Sequence, residues 1–393
     1  MSSQVEQRGG IAEVVQACRS VPIRLYRKYR AGRVFLTAVR KLVRKEREWQ
    51  VPMRLRSPRW WRHGFLSRSA VLYDLDRTDP QLYLSDVHRY FRTKRMVHAK
   101  IQDVINNKLT THLLLRSLGI PSAELVGVAW RDQVHRFPAE GRVSTAEHLD
   151  QIAEGDVLFH KVMAGAEGKN IHAVRRIGPS AWNINGTVHT RDSAVRTLST
   201  RNRPMIVERG ITQHHKQSEL HPGSVNTVRV LTMPDVTGGG DAFIAAAVQR
   251  IGCRRSEPAD NWTLGGLSSP IDMETGTLGR ATRLPDGNVK EWFDHHPDTG
   301  ADITGRIVPF WSETKELVLH AANVLSFLEY VGWDIVITED GPVVLEANIN
   351  TGVNVLQSHQ PLLADPRVRA YYNERGIRVG GDQEPLPPDE APL

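Results

Sequence analysis

The stretch GWDIVITEDGPVVLEANINTG, at positions 332–352, constrains the fold more than any other part of the chain. It contains two short apolar runs, at 335–338 and 343–345, which are separated by the sequence Glu-Asp-Gly. A glycine at the end of such a loop can take the positive φ that a tight turn requires. The pattern therefore predicts a β-hairpin whose glycine is Gly341.

The register of this hairpin decides which polar side chains come together. A three-residue loop that ends in a left-handed glycine would pair Asp334 with Glu346. Cross-strand partners share a face, and Asn348 lies on the face of Glu346, so the three side chains would converge within about 5–8 Å. A two-residue loop would instead place Asp334 on the opposite side.

Two carboxylates and an amide oxygen on one face suit Mg²⁺, which is usually held by one or two carboxylates together with substrate phosphates. The alternative is a solvent-exposed polar face on an edge hairpin. The magnesium interpretation requires a phosphate-bearing ligand, so the rest of the chain should supply groups that hold phosphates.

The composition restricts the class of protein. With 393 residues, 40% of them hydrophobic, the chain is long enough for two or three domains with a sizeable core. Its two cysteines, Cys18 and Cys253, form no C-x-x-C pair and no disulfide framework, which favours a reducing cytoplasm. No apolar run approaches the roughly 18 residues that a bilayer crossing needs, and the N-terminus lacks the apolar core of a signal peptide. We expect a cytoplasmic protein.

The charge is distributed unevenly. Residues 1–100 contain 23 Lys and Arg against 8 Asp and Glu, whereas the remainder contains 28 against 36. Within the first part, residues 11–48 have the spacing of a basic amphipathic helix. It could be an ordinary helix that packs on the body with a solvated basic face. It could also dock, through residues 11–62, on the inner face of a membrane or on a partner in glycan assembly. No nucleic-acid-binding module is recognisable, so nucleic acid is not an expected partner.

From about residue 100 the pattern changes to alternating helices and strands. Asn107 and Lys108 open a helix that ends at Gly119. The stretch 157–174 predicts two strands joined by a glycine loop, which differs from the strand–loop–helix order of a Walker motif or a dinucleotide fingerprint.

That glycine loop could close over phosphates. Its residues Gly165, Gly168 and Lys169 would bring backbone N–H groups to the phosphates, and Lys161 would stand beside them as a cation. Glycine hairpins are common, however, and most bind nothing.

Three further strands carry a charged side chain at or near one of their ends. The strand at 205–207 runs into Glu208, and the next two carry Arg229 and Arg250. A guanidinium is permanently charged and can bind two oxygens, so these arginines could clamp phosphates. Each could equally form a surface ion pair.

The order of these pieces, together with the motifs NTVR, NWTLGG, HPDTG and GWDIVITEDGPVVLEANINTG, resembles the ATP-grasp superfamily over roughly residues 95–365. More narrowly, it resembles the branch named for its association with sugar-transfer genes, which is related to α-L-glutamate ligases. The resemblance implies an α+β fold in which two α+β subdomains enclose ATP and Mg²⁺. We expect a basic, largely helical N-terminal region at 1–95, subdomains at 96–205 and 206–370, and a flexible tail at 371–393.

The resemblance also implies roles for individual residues. Lys108, Lys161, Glu208 and the lid residues Gly165, Gly168 and Lys169 would bind the nucleotide. Asp334, Glu346 and Asn348 would hold Mg²⁺, and Arg229 and Arg250 would be the catalytic cations at the γ-phosphate and the acyl phosphate.

The expected activity is that of a carboxylate–amine ligase, which forms a C–N bond through an acyl phosphate and modifies a glycan or a peptide. Its substrates would be a small-molecule carboxylate and an amine. A kinase that phosphorylates a sugar or polyol hydroxyl would share every nucleotide-binding residue. A nucleotide-binding adaptor without catalytic activity is the third possibility.

Overall fold

The structure is a computed structural model of the chain. It describes residues 32–47 except 34, 35 and 38, residue 56, and then 58–93, 96–97, 99–137, 139, 141–164, 171–285, 290–349 and 351–380. Two antiparallel sheets and three clusters of buried apolar side chains organise this part of the chain.

The first sheet has eight strands in the order β3-β2-β1-β8-β4-β5-β6-β7. The strands are β1 Leu125–Arg131, β2 Gln133–Arg136, β3 Arg142–Ser144, β4 Val157–Val162, β5 Ile171–Gly178, β6 Ala181–Ile184, β7 Thr187–Thr190 and β8 Thr200–Arg209. Helices α5 (Thr145–Asp150) and α6 (Arg191–Leu198) contribute apolar side chains to the core of this sheet. A capping box between Ser144 and Glu147 starts α5.

The second sheet has seven strands in the order β13-β12-β11-β10-β9-β14-β15. The strands are β9 Thr227–Pro234, β10 Ala242–Ile251, β11 Leu267–Pro270, β12 Ala281–Arg283, β13 Trp292–Phe293, β14 Val331–Thr338 and β15 Gly341–Ile349. Strand β14 lies between β9 and β15, and all but the last of its residues are buried, which explains its almost continuous apolar sequence.

Helices cover both faces of the second sheet. One face packs against α3 (Ala99–Asn106), α4 (Lys108–Ser117) and α8 (Trp311–Val324). The other face packs against apolar residues from the segment 60–84 and from the segment 353–379. The helices of these segments are α1 Pro58–Arg62, α2 Ser67–Leu72, α9 Asn354–Gln357 and α10 Pro366–Glu374, and the short helix α7 (His215–Ser218) lies in the connection that leads to β9.

The segment before residue 88 is tied to the body of the protein. The side-chain amide of Gln357 accepts a hydrogen bond from the backbone N–H of Leu84 at 2.7 Å and donates one to its carbonyl at 3.1 Å. In the helical stretch at 39–47, Lys41 and Lys45 lie 5.2 and 5.8 Å from the ring centroid of Tyr90. Part of this basic helix therefore packs on the body. The predicted docking on a membrane or a partner stays a prediction.

The helix and the hairpin that the sequence predicts around the phosphates are both present. Asn107 caps α4, because its side-chain oxygen accepts hydrogen bonds from the N–H groups of Leu109 and Thr110. Gly119 follows the helix with a φ of +68°. Strands β4 and β5 pair antiparallel as the two arms of the predicted hairpin, and the lid residues Gly165, Gly168 and Lys169 between them lie outside the described residues.

The predicted domain boundaries fall inside elements of the structure. Strand β8 crosses the boundary between residues 205 and 206, and helix α10 crosses the boundary between 370 and 371. Helices α3 and α4, which the boundaries place in the first subdomain, contribute apolar side chains to a core of the second sheet. None of the helices in the described ranges combines the length and the hydropathy of a membrane span.

Candidate functional site

The C-terminal hairpin pairs Asp334 with Glu346, as the sequence predicts, but by another route. The predicted three-residue loop is wrong, because Thr338 pairs with Gly341 across a two-residue turn of Glu339 and Asp340, and Gly341 follows that turn with a φ of +128°. That turn alone would place Asp334 on the opposite face. A bulge in β15 adds Leu345 between the partners of Asp334 and Ile335, and the extra residue restores the shared face.

A row of charged side chains follows from this register across three adjacent strands. Arg229 on β9 lies opposite Asp334 on β14, and its Nη2 donates to Asp334 Oδ2 at 2.8 Å while its Nε donates to Oδ1. Arg250 on β10 reaches the same carboxylate, with its Nη1 3.3 Å from Asp334 Oδ2. Both predicted catalytic arginines thus contact the buried carboxylate of Asp334, which is also one of the predicted metal ligands.

This carboxylate stays ionised despite its burial. Burial alone would raise the pKa of Asp334, but Arg229 and Arg250 more than offset that effect and hold its pKa below the usual value. Removal of either arginine would leave a buried charge with weaker compensation, which is far more costly than the loss of a surface ion pair.

The three predicted metal ligands form a set of oxygen donors that suits Mg²⁺. Asp334 and Glu346 are cross-strand partners, and Asn348 follows two residues later on the same strand. The side-chain nitrogen of Asn348 donates to Asp334 Oδ2 at 3.3 Å, which leaves its amide oxygen available to a cation. The residues therefore fit the metal that the sequence predicts.

Lys108 links the two sheets at this site. Its backbone N–H donates to the carbonyl of Met163 at 2.8 Å, which holds the start of α4 beside the end of β4. Its Nζ lies 2.7 Å from Glu346 Oε1 on the second sheet. One predicted nucleotide-binding lysine therefore contacts one predicted metal ligand directly.

Two further predicted nucleotide residues, Lys161 and Glu208, meet on the first sheet. Lys161 on β4 and Glu208 on β8 form an ion pair, with Nζ and Oε2 2.7 Å apart, and only 14% and 8% of the two side chains is exposed. A buried pair of this kind is costly unless it serves a ligand or a fixed geometry. The buried His112 of α4 lies close enough for Glu208 to raise its pKa, although burial is the larger effect and lowers it.

The sequence matches a known family over most of its length. The family model for sugar-transfer associated ATP-grasp proteins matches residues 88–366. The chain belongs to this family. The resemblance and the α+β ATP-grasp fold predicted from the sequence are confirmed, and ATP with Mg²⁺ is the cofactor pair expected of such a chain.

Solved structures give a more distant likeness to this ATP-grasp chain. They include the ADP complex of purK, N5-carboxyaminoimidazole ribonucleotide synthetase, at 13% identity and a TM-score of 0.39 over 72% of this chain and 54% of that chain. The ATP-grasp ligase PsnB with minimal precursor, Mg and ADP matches at 15% identity and a TM-score of 0.34 over 71% and 61%. D-alanyl-alanine synthetase A from Vibrio cholerae matches at 14% identity and a TM-score of 0.36 over 70% of this chain and 61% of that chain. The chain thus spans less than two thirds of each of these proteins, and no curated protein matches it.

One further residue that contacts these charged side chains was not predicted from the sequence. Asp260 lies directly before the motif NWTLGG, and its Oδ1 accepts from Arg250 Nη2 at 2.6 Å while its Oδ2 accepts from the backbone N–H of Thr227 at 3.0 Å. Asp260 therefore orients Arg250 and fixes the start of β9. Its proximity to the motif is the only sequence signal, because 10 residues separate it from the arginine it contacts.

Two groups of histidine and acidic side chains elsewhere in the ATP-grasp fold have metal-like spacing, but their hydrogen bonds oppose metal binding. Nδ1 of His214 accepts from the backbone N–H of Lys216, so its Nε2 carries the proton of the neutral ring. His296 uses both ring nitrogens, accepting at Nδ1 from the N–H of Asp298 and donating at Nε2 to the carbonyl of Gly252. His214 thereby caps the short helix α7.

Proposed function

We propose that the protein is an ATP- and Mg²⁺-dependent ligase that joins a carboxylate to an amine through an acyl phosphate. The observation that carries this proposal is the row Arg250–Arg229–Asp334–Glu346 on one face of the second sheet, with Lys108 opposite its end. Such a row places permanent cations beside oxygen donors for a metal, which phosphoryl transfer requires.

The reaction would proceed in two steps. A carboxylate oxygen attacks the γ-phosphorus of ATP, so the bond to the β-γ bridging oxygen breaks and ADP leaves with that electron pair. An amine then attacks the acyl carbon, phosphate leaves, and the nitrogen loses a proton. No side-chain nucleophile is needed.

The residues would act mainly by position and charge. When bound, Mg²⁺ would offset the negative charge of the phosphates, held by Asp334, Glu346 and Asn348. Arg229 and Arg250 would stabilise the charge that spreads over the transferred phosphoryl group, and Lys108 would turn from Glu346 to the phosphates.

The nucleotide base and ribose would bind at the first sheet. The buried pair of Lys161 and Glu208 supports this assignment. Lys161 could bind a phosphate, and Glu208 could accept a hydrogen bond from a donor on the ribose or the adenine. The lid between β4 and β5 would exclude water from the acyl phosphate.

The family description associates its members with sugar transfer, and we propose on that ground that the substrate is a glycan or a peptide. The basic helix that begins the described region would bring the enzyme to an anionic membrane surface or to a glycan-assembly partner. Flotation of the full chain with anionic liposomes, compared with a chain that lacks residues 1–57, tests this part, and equal flotation of the two would remove it.

The test of the reaction is ATP turnover with Mg²⁺ and pools of candidate carboxylates in the presence of hydroxylamine. Hydroxylamine intercepts an acyl phosphate as a hydroxamate without knowledge of the natural amine. Hydroxamate that disappears in Glu346→Gln would support the ligase. ADP without hydroxamate would favour the kinase, in which a hydroxyl accepts the phosphate, and nucleotide binding without turnover would favour the adaptor.

A further inference from the structure

Thr351, which follows the C-terminal hairpin, lies between two arginines from distant parts of the chain. Its Oγ1 accepts a hydrogen bond from Arg229 Nη1 at 2.6 Å, and its carbonyl accepts one from Arg89 Nη1 at 2.9 Å. Only 4% of Thr351 is exposed. Arg89 belongs to the short helical segment His88–Arg92, so Thr351 joins this segment to the predicted catalytic arginine.

The position of Thr351 depends on the absence of a side chain at Gly332. Gly332 lies two residues before Asp334 on β14 and therefore shares its face. A Cβ at Gly332 would come within 2.4 Å of Thr351 Oγ1 and 2.5 Å of its Cβ, which is far inside van der Waals contact. Gly352, which follows Thr351, leaves less room to spare beside Arg89 than an ordinary contact, because a Cβ at Gly352 would meet Arg89 Nη2 at 3.1 Å. The two glycines fit Thr351 and Arg89 closely.

Arg229 and the proposed Mg²⁺ would compete for the same two carboxylate oxygens of Asp334. Asp334 accepts hydrogen bonds from Arg229 through both oxygens, and the proposed function also assigns it to Mg²⁺. A carboxylate oxygen that binds a divalent cation gives up part of its charge to the metal and becomes a weaker acceptor for the guanidinium. Arg229 then needs another fixed acceptor, and the uncharged hydroxyl of Thr351 lies outside the predicted set of metal ligands.

We infer that Thr351, fixed by Arg89, is the positioning residue that keeps Arg229 directed at the phosphates while Asp334 serves the metal. The inference rests on the proposed function and adds two residues that the sequence analysis did not identify. It also gives the segment before α3 a role in catalysis, because Arg89 acts on Arg229 through Thr351.

The test compares Thr351→Val, which keeps the shape but loses the hydroxyl, with Thr351→Ser, which keeps the hydroxyl. Calorimetry measures the affinity of each full-length variant for a non-hydrolysable ATP analogue with and without Mg²⁺. Loss of one hydrogen bond to a charged group corresponds to about 10- to 100-fold. We expect Thr351→Val to lose about tenfold in affinity with Mg²⁺ and to match the wild type without it, because Asp334 still holds Arg229 in the absence of the metal. Its kcat should fall by about 10- to 100-fold, and Thr351→Ser should stay within about threefold throughout.

The outcomes separate the inference from the proposed function. Equal losses with and without Mg²⁺ would make Thr351 a merely structural residue, and no loss in Thr351→Val would also overturn the inference. Arg89→Gln, which removes the second contact of Thr351, should reproduce the Mg²⁺-dependent loss, and a variant that matches the wild type would remove Arg89 from the inference. A wild-type protein that fails to bind the ATP analogue would instead contradict the proposed function.

Discussion

The charged row of the second sheet and the apolar core of the first sheet bury their titratable side chains in opposite ways. On the second sheet, Asp334 is buried in its charged form between Arg229 and Arg250. In the core of the first sheet, the rings of His148 and His160 lie edge to face at 5.3 Å, and no described group forms a hydrogen bond with either ring nitrogen of His160. Burial lowers the pKa of His148 to about 4, helped by Arg136.

This difference suggests that the buried charges of the second sheet serve the reaction, whereas the buried histidines of the first sheet affect only stability. Buried charges cost several kcal/mol in desolvation, so a row of them is retained where their field is used. Neutral histidines cost little at pH 7 and become costly only when the pH falls. We therefore expect changes in the charged row of the second sheet to alter turnover. Changes in the core of the first sheet should alter stability in acid. Changes in the ion pair of Lys161 and Glu208, on the other face of the first sheet, should alter the affinity for the nucleotide.

The largest effect should come from the second sheet. Glu346→Gln removes one of the proposed metal-binding carboxylates, and we expect kcat to fall by about 100- to 1,000-fold with little change in the melting temperature. Steady-state ATP turnover with Mg²⁺ measures it. The control is Glu339→Gln in the turn of the same hairpin, where the carboxylate is 55% exposed and contacts His215. Near-normal turnover in Glu346→Gln would contradict the metal assignment.

Much of this site could be predicted from the sequence, because its residues lie on a hairpin. Alternation along two strands and one turn glycine are enough to bring Asp334, Glu346 and Asn348 to one face. The prediction used the wrong loop length, since a bulge leaves no clear signal in a sequence. The pairing nevertheless came out as predicted, because the bulge and the shorter turn each shift the register by one residue.

The contacts that join distant segments could not be predicted. Arg89 and Thr351 are 262 positions apart, and nothing in the local pattern of either indicates the other. The role of Asp260 could not be predicted for the same reason, because it depends on how the loop after β10 returns to Arg250. Local periodicity encodes which face a side chain takes, whereas long-range packing decides what it meets there.

The second prediction concerns the core of the first sheet. In the unfolded chain both histidines should titrate near pH 6.5, and in the folded protein burial holds the pKa of His160 well below that value. The unfolded state therefore binds more protons below pH 6.5, and stability should fall as the pH decreases from about 6.5 to 4. At pH 5 the protonation of His148 alone should cost about 2 kcal/mol.

Urea unfolding of the wild type and of His148→Phe at pH 7.5 and pH 5 measures this cost. The phenylalanine keeps an aromatic ring beside His160 and cannot be protonated, so the variant should recover about 2 kcal/mol of the loss at pH 5. His295→Gln serves as a control, because His295 is 68% exposed. If all three proteins lose the same stability on acidification, the acid sensitivity lies elsewhere, and the contrast between the sheets fails.

The smallest effect, and the sharpest test of the comparison, is expected at Glu208. Glu208→Gln keeps the size of the side chain and still gives Lys161 an oxygen to contact, but it removes the buried charge that we assign to the nucleotide. We expect the Kd for an ATP analogue to rise by about tenfold and kcat to stay within about threefold, because this contact is the same in the ground state and in the transition state. Calorimetry and steady-state kinetics on the same preparation separate the two constants. Glu124→Gln is the matched control, since Glu124 pairs with Arg209 at 2.9 Å beside the end of the same strand and is 64% exposed. A fall in kcat at unchanged affinity would place Glu208 with the charges of the second sheet and end the division of roles between the two sheets.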